Sequence, residues 1–391
     1  MPNKSIVIVG TGFTGAYIGR NLAEQGWQVN MLERRPQISG QMFDKVDEET
    51  GCLIHEYGPH IFHTNDENIW EWVNKFSEWT PFNLKTQVYF EGRREWFTCS
   101  FGFHTIDRLY DGKSAEELKI KLLEEYPGEE KVTIPTLLGS HDPMIREFAR
   151  ILWEEDYKPY TAKQWGIAPE EVDPDILKRV PVYLNYFDKI HNDKYEALPS
   201  EGYTSLFENI LDHPNINVQL NVDAMSMLEI KDDKVFYKGK ESIVLFTGAI
   251  DELFNYKHGE LSYRSLTFKK EITANYNHTK EGDPCVDIYP HERYKYTRIT
   301  NYGKLPIQNH LDDQISVKEY PHAFTLNSDL ERYYPVNTLD DKEKLEKYLK
   351  DAESTKGLYL SGRLADYKYY DMDKSLIAAR EKLSIILKEN E

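Results

Sequence analysis

The sequence predicts a mixed α/β fold in which one nucleotide-binding domain is interrupted twice, and three observations carry this. A glycine-rich turn joins a strand to a helix near the N-terminus. Residues from about 104 to 195 repeat their apolar side chains at three- and four-residue spacing, and residues from about 255 to 334 alternate apolar with polar. The first pattern marks a βαβ dinucleotide site, the second packed helices, the third antiparallel strands.

Residues 5–10, SIVIVG, read as a short buried strand, and GTGFTG follows it. Residues 16–25 read as a helix stopped by Gly26, and WQVNMLE as a second strand ending at Glu33. Gly10, Gly12 and Gly15 keep the G-x-G-x-x-G spacing, with Phe13 and Thr14 inside it. Gly10 serves the turn, Gly12 the close approach of backbone to a pyrophosphate, and Gly15 the packing of helix on strand. The helix N-terminus presents free N–H groups to phosphates, and Glu33 can accept ribose hydroxyls. Glycines alone are a weak signal; with strand, helix and terminal acid in place they predict dinucleotide binding.

Further along, SAEELKIKLLEEYP, DPMIREFARILWEEDY and DPDILKRV have helical spacing. LSYRSLTFKKEITANY and YKYTRIT alternate as strands. GYTSLFENIL (helix), INVQL, SIVLFTG and LYLSG (strands) and a helix from about 372 to 388 return to the nucleotide-binding domain. That domain is expected to comprise residues 1–80, 198–252 and 335–391. Residues 104–197 form a helical substrate and lid domain, and 81–103 with 253–334 an antiparallel sheet domain. KVDEETG and TLDDKEKLEKYLKDAEST read as solvated, charge-rich faces.

A chain of 391 residues is long enough for two or three domains. Its net charge of −18 offers no field for nucleic acid or an anionic membrane, so any anionic ligand must be held by local arginines. Three scattered cysteines indicate neither a disulfide framework nor a zinc site. No basic-then-apolar leader and no long apolar run is present, which predicts a cytoplasmic protein without a membrane span. The 27 tyrosines outnumber the 17 phenylalanines, a bias that suits sugars and nucleotides as well as ordinary packing.

Two stretches leave alternatives open. YGPHIFHTN sets His60 and His63 behind a Gly58-Pro corner. The pair could ligate a metal, sit in a plain loop or flank a cofactor, and since no third ligand stands nearby no metal is expected. SGRLADYKYYDMDKSL could place Asp371 or Asp373 as the cap of a C-terminal helix. It could equally complete an FAD site, with Arg363 on the pyrophosphate and the dipole of the 372–388 helix under a flavin.

VGTGFTGAYIGRNLAEQG, YGPHIFHT, YTAKQWG, DILKRVPV, YTRIT, YYPV and GRLADYKYYDMD, in this order and spacing, resemble the flavoenzyme family of UDP-galactopyranose mutases over essentially the whole chain. The resemblance implies an isomerase that needs FAD in reduced form. Flavin N5 acts as nucleophile on the anomeric carbon, the nucleoside diphosphate leaves, and the sugar opens and recloses through O4 as the furanose, without net redox. It implies FAD contacts at Gly10, Gly12, Phe13, Thr14, Gly15, Glu33, Arg34, Gly40, Gln41, Gly58, His60, Ile61, Val222, Arg363, Asp371 and Met372. His60 and His63 would tune the flavin and line the sugar pocket. Arg179 and Arg298 would hold the diphosphate as bidentate guanidinium forks, helped by the hydroxyls of Tyr334 and Tyr369. Tyr160 would stack on the base, Thr161 would hydrogen-bond the nucleoside, and Trp165 would wall the site. Asn83, Tyr157, Tyr186, Ile190 and Ile288 complete the implied substrate contacts, and GIAPEEVDPD would begin a lid that carries Arg179 inward. The implied partners are a nucleotide-diphosphate hexose, best UDP-galactopyranose, and NAD(P)H or another priming reductant, in a homodimer that binds no nucleic acid.

Several positions depart from the family pattern. Ser39 and Gln41 stand where Gly-Gly-Asn is usual, Asp156 and Tyr157 where a Phe-Phe pair is usual, Ile190 for a phosphate-contacting tyrosine and Ile288 for a sugar-contacting asparagine. An apolar wall there tolerates a methyl better than a hydroxymethyl, which brings dTDP-fucopyranose close behind UDP-galactopyranose. A flavin amine-oxidase-type oxidoreductase and an inactive nucleotide-sugar binder are the alternatives. The paired arginines speak against the first, and YGPHIFHT with GRLADYKYYDMD against the second.

Overall fold

The computed structural model describes residues 4–166, 181–273, 283–308, 314–326 and 328–391. Within them the fold is mixed α/β, organised about two large sheets. The first is parallel, in the order Ile216–Gln219, Gln28–Leu32, Ser5–Val9, Val244–Phe246, Leu358–Leu360. Ser5–Val9 is central because its side chains are apolar on both faces; Ile6 and Ile8 sit in one core and Val7 in another. Helices Phe13–Glu24 and Met372–Glu389 pack together on one face. A Cβ at Gly15 would collide with the Gly10 carbonyl oxygen, so glycine is what lets the first helix seat against its strand.

The second sheet has seven strands, in the order Tyr334–Pro335, Tyr263–Thr273, Gln314–Ala323, Arg298–Asn301, Val286–Ile288, Thr86–Phe90, Glu95–Cys99. It is antiparallel except where Val286–Ile288 runs parallel to Thr86–Phe90. These two strands come from distant parts of the chain, so no hairpin dictates their direction. One row across it reads Val88, Ile288, Arg298, Glu319, Phe268, and therefore faces one side.

Helices Phe103–Leu109, Gly112–Glu125, Ile134–Leu138 and Pro143–Leu152 form a layer whose core is shared with Val88, Phe90 and Phe97 of that sheet. Asp111 and Asp142 cap the second and fourth by accepting from backbone N–H groups of their first turns. The helix expected to run on through WEEDY instead ends at Leu152, gives way to a π-helical turn at Trp153–Tyr157, and resumes as Lys158–Trp165. DPDILKRV, the part of GIAPEEVDPD after Gly166, and with them Arg179 lie outside the described residues.

Three features were not read from the sequence. Lys131–Thr133 pairs with Pro181–Tyr183 inside the helical stretch, Phe62–Thr64 and Trp79–Pro81 flank Tyr195–Pro199, and Leu228–Lys231 begins a small meander. The charged stretch TLDDKEKLEKYLKDAEST is not merely a solvated face. It is helix Leu339–Ser354, whose Tyr348 and Ala352 are buried. In KVDEETG, Asp47 is likewise buried, pairs with Lys270 at 2.5 Å and accepts from Thr50.

Candidate active site

Between the two sheets lies one continuous cavity of about 1120 Å³, at the upper end of ligand sites and so large enough for two extended ligands. One end is the glycine turn. Gly10 has φ +101°, where only glycine is unstrained, and a Cβ there would strike the Thr247 hydroxyl. Gly12 caps the Phe13–Glu24 helix without any side-chain bond to its first N–H groups, which leaves these for a phosphate. Glu33 is buried, with one oxygen accepting from Thr11 N–H at 3.1 Å and Thr11 Oγ1 at 2.8 Å, the other from Arg35 N–H at 3.1 Å. It therefore braces the turn as well as facing the cavity. Phe13, Thr14, Arg34, Gly40, Gln41, Val222, Asp371 and Met372 line the same end. Arg363 donates to Gln41 Oε1 and lies 5.1 Å from the Tyr334 ring centre, while Gln41 Nε2 donates to the Arg332 carbonyl at 2.9 Å. Asp371 occupies the N-cap position of Met372–Glu389 without a side-chain cap bond.

The Gly-Pro corner forms the next wall. Pro59, His60, Ile61 and His63 line the cavity; Gly58 does not, and turns the chain behind it with φ +92°, where a Cβ would approach Glu319 and Arg298. The His60 N–H donates to His55 Nδ1 at 3.0 Å, and the Tyr203 hydroxyl donates to the His60 carbonyl at 3.2 Å. Burial, helped by the nearby His55, Arg363 and Arg298, pushes His60 well below the usual histidine range and keeps it neutral. Burial also lowers His55 to about 4. The titratable surroundings of His63 are richer than its sequence neighbours suggested: Asp193 sits 2.6 Å from its Nδ1, and the His191 ring stacks on it at 3.7 Å.

Arg298 stands on the sheet floor, its Nε donating to Glu319 Oε2 at 2.8 Å. Burial works against its charge, but the Glu319 carboxylate and the Tyr160 and Tyr334 oxygens more than offset this, so its pKa is raised. Tyr157, Tyr160, Thr161 and Trp165 come down from the overlying helical segment, and Ile190 and Ile288 also line the cavity. Tyr334 and Tyr369 stack at 5.2 Å, with Trp165 at 6.1 Å from each.

Besides Gly58, two further implied contacts do not line the cavity. Tyr186 is 60% exposed and outside the cavity wall, where its hydroxyl donates to Asp107 and accepts from Lys119. Asn83 is not part of the wall either; its Oδ1 accepts from Lys189, and the neighbouring Leu84 lines the cavity instead. Glu319, His191 and Asp193 were missed. Only the pairing of Glu319 with Arg298 across two strands makes it a site residue, and no local sequence signal marks that. Among the described residues no cluster of three or more His, Cys, Asp or Glu could hold a metal ion, and no helix is long and apolar enough to cross a membrane.

A glycine turn on a parallel sheet, facing an arginine on a largely antiparallel one across a shared cavity, defines a Rossmann-like nucleotide-binding enzyme. Residues 8–76 match the NAD(P)-binding Rossmann-like domain, and residues 156–369 match the family model of UDP-galactopyranose mutase. The chain is 35% identical to a probable UDP-galactopyranose mutase of Klebsiella pneumoniae, covering 100% of this chain and 98% of that protein. It is 32% identical to the dTDP-fucopyranose mutase of Escherichia coli, with 99% of each covered. A crystal structure of reduced UDP-galactopyranose mutase superposes with a TM-score of 0.73 at 14% identity, over 99% of this chain and 94% of the other, a likeness of fold. The chain belongs to the UDP-galactopyranose mutase family and is an isomerase of nucleotide sugars.

Proposed function

We propose that the protein interconverts a nucleotide-activated hexopyranose and its furanose with FAD in reduced form, UDP-galactopyranose being the leading substrate. The observation that carries this is the single cavity joining the glycine turn to Arg298. The residues present fit FAD: Gly10 and Gly15 tolerate no Cβ, the first helix keeps its N–H groups open, and among the described residues the buried Ser39 Oγ and His60 Nδ1 have no hydrogen-bond partner. When bound, a reduced flavin supplies a nucleophilic ring nitrogen for the anomeric carbon and is regenerated unchanged, so NAD(P)H or another reductant serves only for priming.

The chain's own residues do the rest. Arg298, oriented by Glu319, holds the leaving diphosphate and stabilises the charge that grows on it. Tyr334 and Tyr369 offer hydroxyls beside it, and Arg179 is proposed as the second cation. His60, being neutral, can accept or donate near the sugar without competing with the arginines for the phosphates. Trp165, buried beside Tyr334 and Tyr369, keeps water from the reacting carbon.

A second reading, dTDP-fucopyranose, is favoured by Ile190 and Ile288 on the cavity wall. A site that loses a hydroxyl's partner loses its preference for that hydroxyl. The test is to incubate dithionite-reduced protein with both nucleotide sugars and measure furanose formed and kcat/KM. No furanose from either would overturn the proposal; a clear preference for UDP-galactose would dismiss the second reading.

A further inference from the structure

Asp156 is a buried carboxyl that none of the roles above employs. It is 5% exposed, lines the cavity, and sits in the π-helical turn at Trp153–Tyr157, a distortion that is frequent at functional sites. Among the described residues its carboxyl has neither a hydrogen bond nor an ion pair. Burial alone raises it to about 7. The titratable groups that face it are Cys99 from the sheet and Tyr157 and Tyr160 from its own segment, each pushed upward by burial and so uncharged. The charged groups around it are engaged elsewhere. Glu154 lies 3.6 Å from Lys158, Glu155 accepts from the Gly92 N–H, and on the packed helix Arg150 pairs with Glu147. An unpartnered buried carboxyl is costly unless a ligand completes it.

Its place along the cavity says which part of the ligand. The segment 153–165 crosses the seven-stranded sheet. At its start, Glu155 is tied to Gly92 in the turn between Thr86–Phe90 and Glu95–Cys99. At its end, the Gln164 and Lys163 carbonyls accept from Arg264 on Tyr263–Thr273. Tyr160, between them, interacts with Arg298 and Glu319 of the middle strands. Tyr334, on the opposite edge strand of this sheet, and Arg363 over its ring lie toward the far side from Asp156, and Gly362 beside Arg363 abuts Thr14 of the glycine turn. A nucleotide sugar whose diphosphate rests on Arg298 and whose sugar points to the cofactor end must extend its base toward Asp156.

We propose that Asp156 is a specificity-determining residue that hydrogen-bonds the nucleobase, its protonated carboxyl presenting one donor and one acceptor to the N3–H and O4 edge of uracil or thymine. This rests on the nucleotide-sugar reading above. An ionised carboxylate would instead suit the two adjacent N–H donors of guanine. The experiment is equilibrium binding of UDP, dTDP, GDP and UDP-galactose to oxidised holoprotein, for wild type, Asp156→Leu and Asp156→Asn, across pH. Asp156→Leu should weaken UDP and UDP-galactose equally, by about tenfold. Asp156→Asn, whose amide keeps a donor beside an acceptor, should restore binding. Wild-type affinity for UDP should fall as pH rises through about 7, and the Asn variant should stay flat. Unchanged UDP binding in Asp156→Leu overturns the inference alone, and so does a loss confined to UDP-galactose, which would put Asp156 at the sugar. A wild-type preference for GDP that grows with pH also overturns it. Wild-type protein that binds none of these ligands removes the functional reading with it. Should Asp156→Leu fail to fold, the Asn variant and the wild-type pH profile decide.

Discussion

Arg298 and Glu319 show how a single residue acquires its chemistry from register. Their side chains meet because Arg298–Asn301 and Gln314–Ala323 pair with these two opposite each other, which fixes Nε and, among the described residues, leaves the guanidinium's other N–H groups to meet an anion. Arg298→Ala should therefore remove most turnover while flavin content stays intact. Truncating one partner of a desolvated charge pair costs roughly 2–5 kcal/mol, hence about 30-fold or more in rate; wild-type rates in steady-state assays would refute it. Acid sensitivity follows from the buried histidines. Unfolded histidine takes up a proton near pH 6.5, while folded His55 does so only at about 4 and His60 is also lowered, in both cases chiefly by burial. The unfolded chain thus binds more protons in that window, so stability rises with pH there and is lost as pH falls from about 6.5 toward about 4. Urea midpoints should drop between about pH 7 and about pH 5; equal midpoints would contradict this. Arg298 and Tyr160 were legible because short motifs carry them. Glu319, His191 and Asp193 were not, since each becomes a site residue only through a partner far away in sequence.

At the scale of elements, periodicity served well where one face is buried and failed where charge concealed it. Gly112–Glu125, Gly202–Leu211 and Met372–Glu389 follow their apolar spacing closely. Leu339–Ser354 was hidden because its surface is almost wholly charged and only Asp341, Tyr348 and Ala352 are buried. Its start was nonetheless written in the sequence as a capping box. Thr338 Oγ1 accepts from the Asp341 N–H at 3.2 Å, and the Asp341 carboxylate accepts from the Thr338 N–H at 3.1 Å. Asp341 also accepts from the Ser262 N–H at 3.0 Å, which ties the helix to the strand region of the second sheet. Thr338→Ala should cost about 1 kcal/mol. Asp341→Ala should cost more, about 1–3 kcal/mol, because it also orphans a partly buried N–H on another element. Chemical denaturation that ranked the two equally would show that the bond to Ser262 contributes nothing.

Across the whole molecule, the parallel sheet was the most legible part, since glycine turn, helix and acid occur within one short stretch. The second sheet was legible as strands but not as an order, because its seven strands draw on widely separated segments. That construction has a consequence for the cofactor. The cavity belongs to neither sheet alone: Gly10 and Arg363 stand on one side, His60 on a connecting loop, and Tyr160 and Arg298 on the other. A ligand filling the cofactor end touches elements whose mutual packing the folded state must maintain, and any ligand that binds only that state stabilises it by mass action. The purified protein should be yellow with FAD that denaturation releases, and protein stripped of flavin should melt lower. Adding FAD at about 100 times its dissociation constant should restore about 2.7 kcal/mol of stability, read as an upward shift in Tm that riboflavin, which lacks the diphosphate for the glycine turn, does not reproduce. Gly10→Ala should abolish that shift, because its Cβ would occupy the space of the Thr247 hydroxyl and deform the turn. Turnover should begin only when the bound flavin is reduced and cease on reoxidation, with no stoichiometric consumption of reductant. A stripped protein that neither binds FAD nor gains stability from it, yet still converts nucleotide sugars, would separate the cavity from the cofactor and end the flavin reading.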